Sequence, residues 1–263
     1  MDVIIVENAA AVAEQAAELI AARIAQKPSA VLGVATGSSP VGTYEALAAR
    51  VRAGELDCSE VSAFALDEYV GLPLTHPESY HEVIRTTVTE PLGLDPARVN
   101  VPDGSAADLE AAGADYERRI GAAGGVDLQL LGIGANGHIG FNEPCSSFAS
   151  RTRMKTLAPQ TREDNARFFD SLDEVPLHCI TQGLGTIHDA RELLLVAQGE
   201  GKADAVAAMI EGPVASICPA SALQLHPRAT VIVDRAAASK LRLVDYYEHV
   251  QRHKPAARET AGV

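Results

Sequence analysis

No apolar run in the chain approaches the ~20 residues that a membrane-spanning helix needs, and no secretory-type n-region and h-region open it. A cytoplasmic location is the expectation. Cysteine is scarce: Cys58, Cys145, Cys179 and Cys218 lie far apart, in neither a CxxC nor a zinc spacing. That pattern excludes a disulfide scaffold and points to a reduced, metal-free protein. Basic charge is also in deficit, with 22 Lys and Arg against 35 Asp and Glu and a net charge of -13. Such a field repels a phosphate backbone, so nucleic acid and anionic membranes are excluded as partners. An anionic substrate must then be held by a few locally placed cations. Linkers rich in Gly, Ser or Pro, low-complexity tracts and internal repeats are absent too. The 263 residues therefore read as a single domain over 1–252, followed by a frayed tail over 253–263.

What is present alternates. A β-branched run over Val3 to Val6 precedes a helical pattern through Val12, Ala16, Leu19, Ile20 and Ile24. Strand signals recur at Ala30 to Ala35, Val61 to Leu66, Arg98 to Val101, Val126 to Leu131, Thr152 to Leu157, Glu192 to Ala197 and Thr230 to Val233. Between them lie helical stretches at Val41 to Ala53 (with Pro40 at the first helical position), Glu78 to Thr89, Ala106 to Ile120, Arg162 to Asp170 and Lys202 to Ile210. The fold class is α/β: a doubly wound, mostly parallel sheet with helices on both faces, Rossmann-like. In such a fold ligands bind beyond the carboxyl ends of the strands. Polar clusters at 36–39, 67–69 and 132–143 each come directly after a strand signal, which gathers them along one rim.

Each cluster has a chemical and a bland interpretation. Thr36-Gly37-Ser38-Ser39-Pro40 offers hydroxyls and free N–H groups at a helix start, suited to a phosphate or carboxylate; capping by Ser39 alone explains it equally. It is no Walker A motif, since it lacks a succeeding Gly-Lys-Ser/Thr. Asp67 and Glu68 point to opposite sides of an extended segment, so only one enters a pocket. Asp67 is the better candidate, because Phe64 to Leu66 could desolvate it and raise its pKa, although a solvated strand end reads as simply. His138 and Glu143, five apart in a glycine-dense loop, can pair as imidazole and carboxylate, and that glycine density has no obvious packing purpose. No HExxH accompanies them. Arg151, Arg153 and Lys155 share one face of a strand, either as a second anion site or as charge protecting an edge. Arg167 and Lys202 read as ordinary surface charges, and His76, His178, His188 and His226 carry no signal alone.

These residues sit in longer motifs: Leu66-Asp67-Glu68-Tyr69-Val70-Gly71-Leu72-Pro73, Gly132-Ile133-Gly134, Asn136-Gly137-His138-Ile139-Gly140-Phe141-Asn142-Glu143-Pro144, Ser150-Arg151-Thr152-Arg153 and Leu223-Gln224-Leu225-His226-Pro227. Taken in order, the chain resembles the glucosamine-6-phosphate deaminase family from end to end. The resemblance implies conversion of glucosamine 6-phosphate and water to fructose 6-phosphate and ammonium in amino-sugar catabolism, by an aldose-ketose isomerase/deaminase classed as a hydrolase, with no cofactor and no metal. It gives His138 the proton shuttle of ring opening, supported by Glu143 and Asn136, and gives Asp67 the C2 proton. It places the substrate phosphate at Thr36, Gly37, Ser38 and Ser39 with Arg167 and Lys202. Asn136 stands where some members have Asp, which leaves the histidine more dependent on Glu143. The resemblance further implies a homo-oligomer, a hexamer in some members. There N-acetylglucosamine 6-phosphate acts as activator at a second site, matched here by Ser146, Arg153, Lys155, Thr156 and Tyr246. Two alternatives stand beside it: a 6-phosphogluconolactonase, which needs no C2 base, and a non-catalytic sugar-phosphate sensor.

Overall fold

The computed structural model describes residues 1–254. Ten strands form two sheets: β1 (Asp2–Val6), β2 (Val31–Val34), β3 (Ser62–Ala65), β4 (Asp67–Tyr69), β5 (Val99–Asn100), β6 (Leu128–Leu131), β7 (Arg153–Thr156), β8 (His178–Thr181), β9 (Leu193–Ala197) and β10 (Ala229–Asp234). Seven make a parallel sheet in the order β1-β10-β9-β6-β2-β3-β5. The other three make an antiparallel sheet in the order β4-β8-β7.

Side chains along the parallel strands alternate between two cores. Leu131, Leu193, Leu195, Val231 and Val233 pack on one face with Tyr116, Ile187 and Met209. On the other, Leu32, Val34, Leu128, Leu130, Leu194, Val196 and Ile232 meet Val12, Ala16, Ile20 and Leu47. Each fully buried aliphatic side chain contributes roughly 1.5–3 kcal/mol by leaving water. Helices on both faces explain why the central strands are largely apolar instead of alternating with polar residues. Helix Ala9–Gln26 begins where Asn8 accepts the Ala11 N–H, and it lays Val12, Ala16, Ala17, Ile20 and Ile24 on the sheet at helical spacing.

Strand order reverses beside β2. From β2 the chain moves outward through β3 to β5, then returns on the other side of β2 as β6 and continues through β9 and β10. A crevice opens at such a reversal, beyond the carboxyl ends of the strands.

The expected alternation holds for the large sheet and fails for the small one. Helix Ser38–Arg52 starts earlier than the pattern suggested, so Pro40 is its third residue, not its first. The stretch after Ser79 is helical as expected but not uniform: α over Tyr80–Ile84, π over Arg85–Thr89 and α again over Glu90–Leu92. Arg162 to Asp170 is likewise split, between a helix over Pro159–Asn165 and a tight turn over Ala166–Phe168. A final helix, Val244–Arg252, packs on β1. Of the expected tail, His253 bonds the His249 carbonyl and Lys254 pairs with Asp2, so these two residues are held; residues 255–263 lie outside the described residues.

Candidate active site

A cleft of about 470 Å³ lies over the carboxyl ends of β9, β6, β2 and β3, four neighbours in the large sheet. Segments 35–39, 66–67, 132–140 and 198–202, each succeeding one of those strands, line it. The three polar clusters thus share one rim. A smaller cleft of about 370 Å³, at the amino ends of β10, β9 and β6, holds Arg23, Glu192 and Arg228 and none of those clusters.

The turn after β2 is built to leave donors free. Gly37 caps helix Ser38–Arg52 with φ 88, a left-handed conformation that favours glycine, and no side chain caps the helix. Capping by Ser39 is therefore ruled out, and the first-turn N–H groups stay unclaimed by any side chain. Tyr44 fixes the approach to the turn by exchanging two hydrogen bonds with the backbone of Ala35. Arg167 reaches Ser38 Oγ at 3.5 Å, and Lys202 lines the same end of the cleft. Burial lowers the Lys202 pKa; Asp164 opposes and the charge of Arg167 adds to that fall. Two cations beside a helix start form a local positive site on an acidic protein.

Asp67 opens β4 and is only 4% exposed, so the solvated strand end is ruled out. Burial, then the charge of Glu68, raise its pKa to about 7, against the lowering effect of the Phe141 N–H and the Thr181 hydroxyl. A base poised near neutrality is the result. Glu68 points the other way, as an extended segment requires. Its carboxylate accepts the N–H groups of Tyr69 and Tyr80 at 2.8 and 2.9 Å and that of His81 at 2.8 Å, fixing the start of helix Tyr80–Ile84. That anchoring brings Tyr80 to the cleft wall, stacked on Phe141 at 5.7 Å.

His138 lines the cleft, while Asn136 and Glu143 stand behind it. His138 Nδ1 lies 3.7 Å from Glu143 Oε2, an ion-pair distance beyond hydrogen-bond length. Asn136 takes the same oxygen, donating from Nδ2 at 2.8 Å, and accepts the His138 N–H at 3.1 Å. Burial raises the Glu143 pKa, but His138, Thr161 and the Ala158 N–H outweigh it and hold it at about 2. Glu143 is thus a fixed anion behind the imidazole. The glycine density does have a packing purpose: a Cβ on Gly134 would sit 2.2 Å from the His138 ring, and one on Gly140, at φ 52, would meet Asp67 and Thr181.

The face of three cations does not form. Arg151 precedes β7 and pairs with Glu117 and Asp189. Arg153 and Lys155 share a face of β7, an outer strand of the small sheet, but Arg153 donates to Asn142 Oδ1 at 2.7 Å. Ser146 is buried, with its hydroxyl on the Glu143 carbonyl. Thr156 faces the His178 ring, and Tyr246, 60% exposed, stands on the helix packed against β1. Sequence reasoning missed Tyr80, Thr161, Gln198 and Thr181. The first three line the cleft, and of the four Gln198, directly after the strand signal at Glu192 to Ala197, left a trace of rim position. Among the described residues no three His, Cys, Asp or Glu side chains gather as metal ligands, and no helix is long and apolar enough to cross a membrane.

A family model described as glucosamine-6-phosphate isomerases/6-phosphogluconolactonase matches residues 6–232. The chain belongs to this family. It is 62% identical to a glucosamine-6-phosphate deaminase of Streptomyces coelicolor over 256 residues, 97% of this chain and 98% of that one. It is 58% identical to one of Bifidobacterium longum over 266 residues, at the same coverage. The solved structure of a monomeric glucosamine-6-phosphate deaminase superposes with TM-score 0.89 at 43% identity, covering 91% of this chain and 100% of that one. A 6-phosphogluconolactonase from Trypanosoma cruzi superposes with TM-score 0.72 at 18% identity, over 92% of this chain and 97% of that one, and shares the fold alone. In this chain the motif stretch 66–73 supplies a cleft-facing carboxylate and 132–144 a histidine with its carboxylate partner.

Proposed function

We propose that this family member is a cytoplasmic glucosamine-6-phosphate deaminase of amino-sugar catabolism. The observation that carries this reading is Asp67, a buried carboxyl with a pKa of about 7 in the same cleft as His138. Lactone hydrolysis removes no proton from C2, and the relatives near 60% identity carry the deaminase name. The substrate phosphate sits on the Thr36 to Ser39 turn between Arg167 and Lys202. His138, held by Glu143 and Asn136, takes the proton of the 1-hydroxyl and delivers one to the ring oxygen, opening the pyranose. Asp67 then removes the C2 proton, which the neighbouring aldehyde acidifies. The C–H electron pair forms the C1–C2 double bond as the aldehyde oxygen gains a proton. Return of a proton to C1 moves the double bond to carbon and nitrogen, and water adds at C2 to expel ammonium. Each positioned proton transfer is worth on the order of 10²- to 10⁴-fold, and since C2 is oxidised as C1 is reduced, the sequence needs no external oxidant.

Purified protein is expected to release ammonia and a ketose phosphate from glucosamine 6-phosphate. Consumption of 6-phosphogluconolactone alone would overturn the reading.

Regulation by N-acetylglucosamine 6-phosphate in a homo-oligomer, up to a hexamer, is a separate part of the proposal. Its support is the coupling of Arg153 to Asn142 and of Ser146 to Glu143, which links the candidate second site to the catalytic loop. Tyr246 is carried by the other sheet, so a subunit interface has to gather the set. Saturation curves with and without the activator test this, and an unchanged curve ends the idea.

A further inference from the structure

Thr181 is a fully buried polar side chain that the reaction steps above do not use. In the small sheet it stands directly opposite Asp67 on one side and Arg153 on the other. Directly opposed residues present their side chains to the same face, so the three form one row across the sheet. The loop carrying His138 and Glu143 lies along that row. Gly140 approaches Asp67, the Phe141 N–H donates to Thr181 Oγ1 at 3.2 Å, and Asn142 Oδ1 accepts from Arg153. Asn142 also donates to the carbonyls of Ile139 and Gln182, which pins the loop to the end of β8.

The Thr181 hydroxyl has one proton and two acceptors within reach, Asp67 Oδ2 at 3.4 Å and the Gln182 carbonyl at 3.3 Å. We propose that Thr181 is a positioning residue for the base, donating to Asp67 while that carboxylate is charged and turning to Gln182 once Asp67 has taken up the substrate proton. The Phe141 N–H holds Thr181 Oγ1 in place through both states. One side chain thus registers the base against the ring-opening loop and tracks its protonation. The inference rests on the deaminase reading. A hydrogen bond given only to the charged form favours that form, so its loss raises the pKa of the base. The other titratable groups facing Asp67 are Glu68 and Tyr69 on its own strand, Cys179 on β8, Tyr80, and Tyr116 on helix Leu109–Ala122. None of these is altered by a substitution at position 181.

The test is the pH profile of ammonia release and of C2 hydrogen exchange in Thr181→Val and Thr181→Ser. The valine variant is expected to move the acid limb of kcat/KM up by about one unit, which is about a tenfold loss below that limb and none well above it. Serine keeps the wild-type limb. A loss of equal size at every pH, or a serine variant that behaves like valine, makes Thr181 structural only and overturns the proposal. If valine does not fold, Thr181→Ala replaces it with the same expectation, and Thr181→Cys, a weak donor, should fall between. A wild-type protein that releases no ammonia would defeat the deaminase reading instead. The carboxyl ¹³C titration of Asp67 in wild type and variant then still decides whether Thr181 governs the base.

Discussion

The seven-stranded sheet is apolar on both faces and reaches the cleft only through the loops beyond its strands, whereas the three-stranded sheet contributes from within its ladder. Segments after β2, β6 and β9 supply the anion turn, His138 and Lys202. The small sheet supplies Asp67, locked in register opposite Thr181. A loop beyond a parallel strand can be exchanged with little cost to the core, which suits binding and specificity. A residue paired in an antiparallel ladder cannot shift without turning its neighbours to the other face, which suits a base that must meet one carbon. On the proposed deaminase mechanism, the large sheet holds the substrate and the small one performs the central proton transfer.

Asp67→Asn breaks this division most severely. C2 exchange and ammonia release should fall by about 10³-fold or more with phosphate-dependent binding retained, as read by isotope exchange and by equilibrium binding. The same change should stabilise the fold at high pH. The carboxyl goes from 3.8 to about 7 on folding, so the folded chain binds more protons between those values and wild-type stability falls as pH rises through that window. Asparagine recovers that loss, up to about 4 kcal/mol above pH ~7 and nothing below pH ~4, measurable by urea unfolding. Equal stability of the two proteins at pH 8 would show that Asp67 titrates normally.

Lys202→Ala tests the large sheet's share. KM should rise by about 10- to 100-fold with kcat changed far less, because one charge-assisted contact to a phosphate is lost equally from ground and transition states. A dominant effect on kcat would mean that the two sheets do not divide the labour. The smallest effect is expected from Glu68→Gln. An amide cannot accept all three N–H groups, so stability should drop by about 1–3 kcal/mol. Removing the neighbouring charge should also shift the acid limb of kcat/KM to lower pH. An unchanged limb would remove Glu68 from the causes of the raised Asp67 pKa.

The large sheet was legible because its strands are covered on both sides, and continuous apolar runs between helical patterns announce that arrangement. Of the small sheet only β7 was, as the extended stretch Thr152 to Leu157. β4 is three residues long and begins with two carboxylates, and β8 begins at an exposed histidine. Their pairing is set by tertiary contact, not by pattern. Helix Val244–Arg252 escaped for a related reason, since it is short, polar on average and buries no residue fully, with only Val244 and Tyr247 laid against the core. In the site, opposed side chains along an extended segment correctly separated Asp67 from Glu68. Tyr80 could not be found that way, because its place depends on Glu68 accepting N–H groups from a helix that starts twelve positions on. The three-cation face failed because Arg151 lies outside β7 and is drawn to Glu117, a partner on a distant helix.

The order of strands in the large sheet has a consequence for synthesis. β1 is translated before the other nine described strands, yet among the described residues it is laddered only to β10, Asp2 against Thr230, and helix Val244–Arg252 covers it later still. By then the turn at 36–39, Asp67 and His138 have long been translated. A chain interrupted before residue 229 would carry every one of those groups and leave its first strand without a ladder partner. Such pairing between the ends of a chain is slow to form and exposes an open edge until it does. Synthesis of β10, not assembly of the cleft, is thus the event that closes the large sheet.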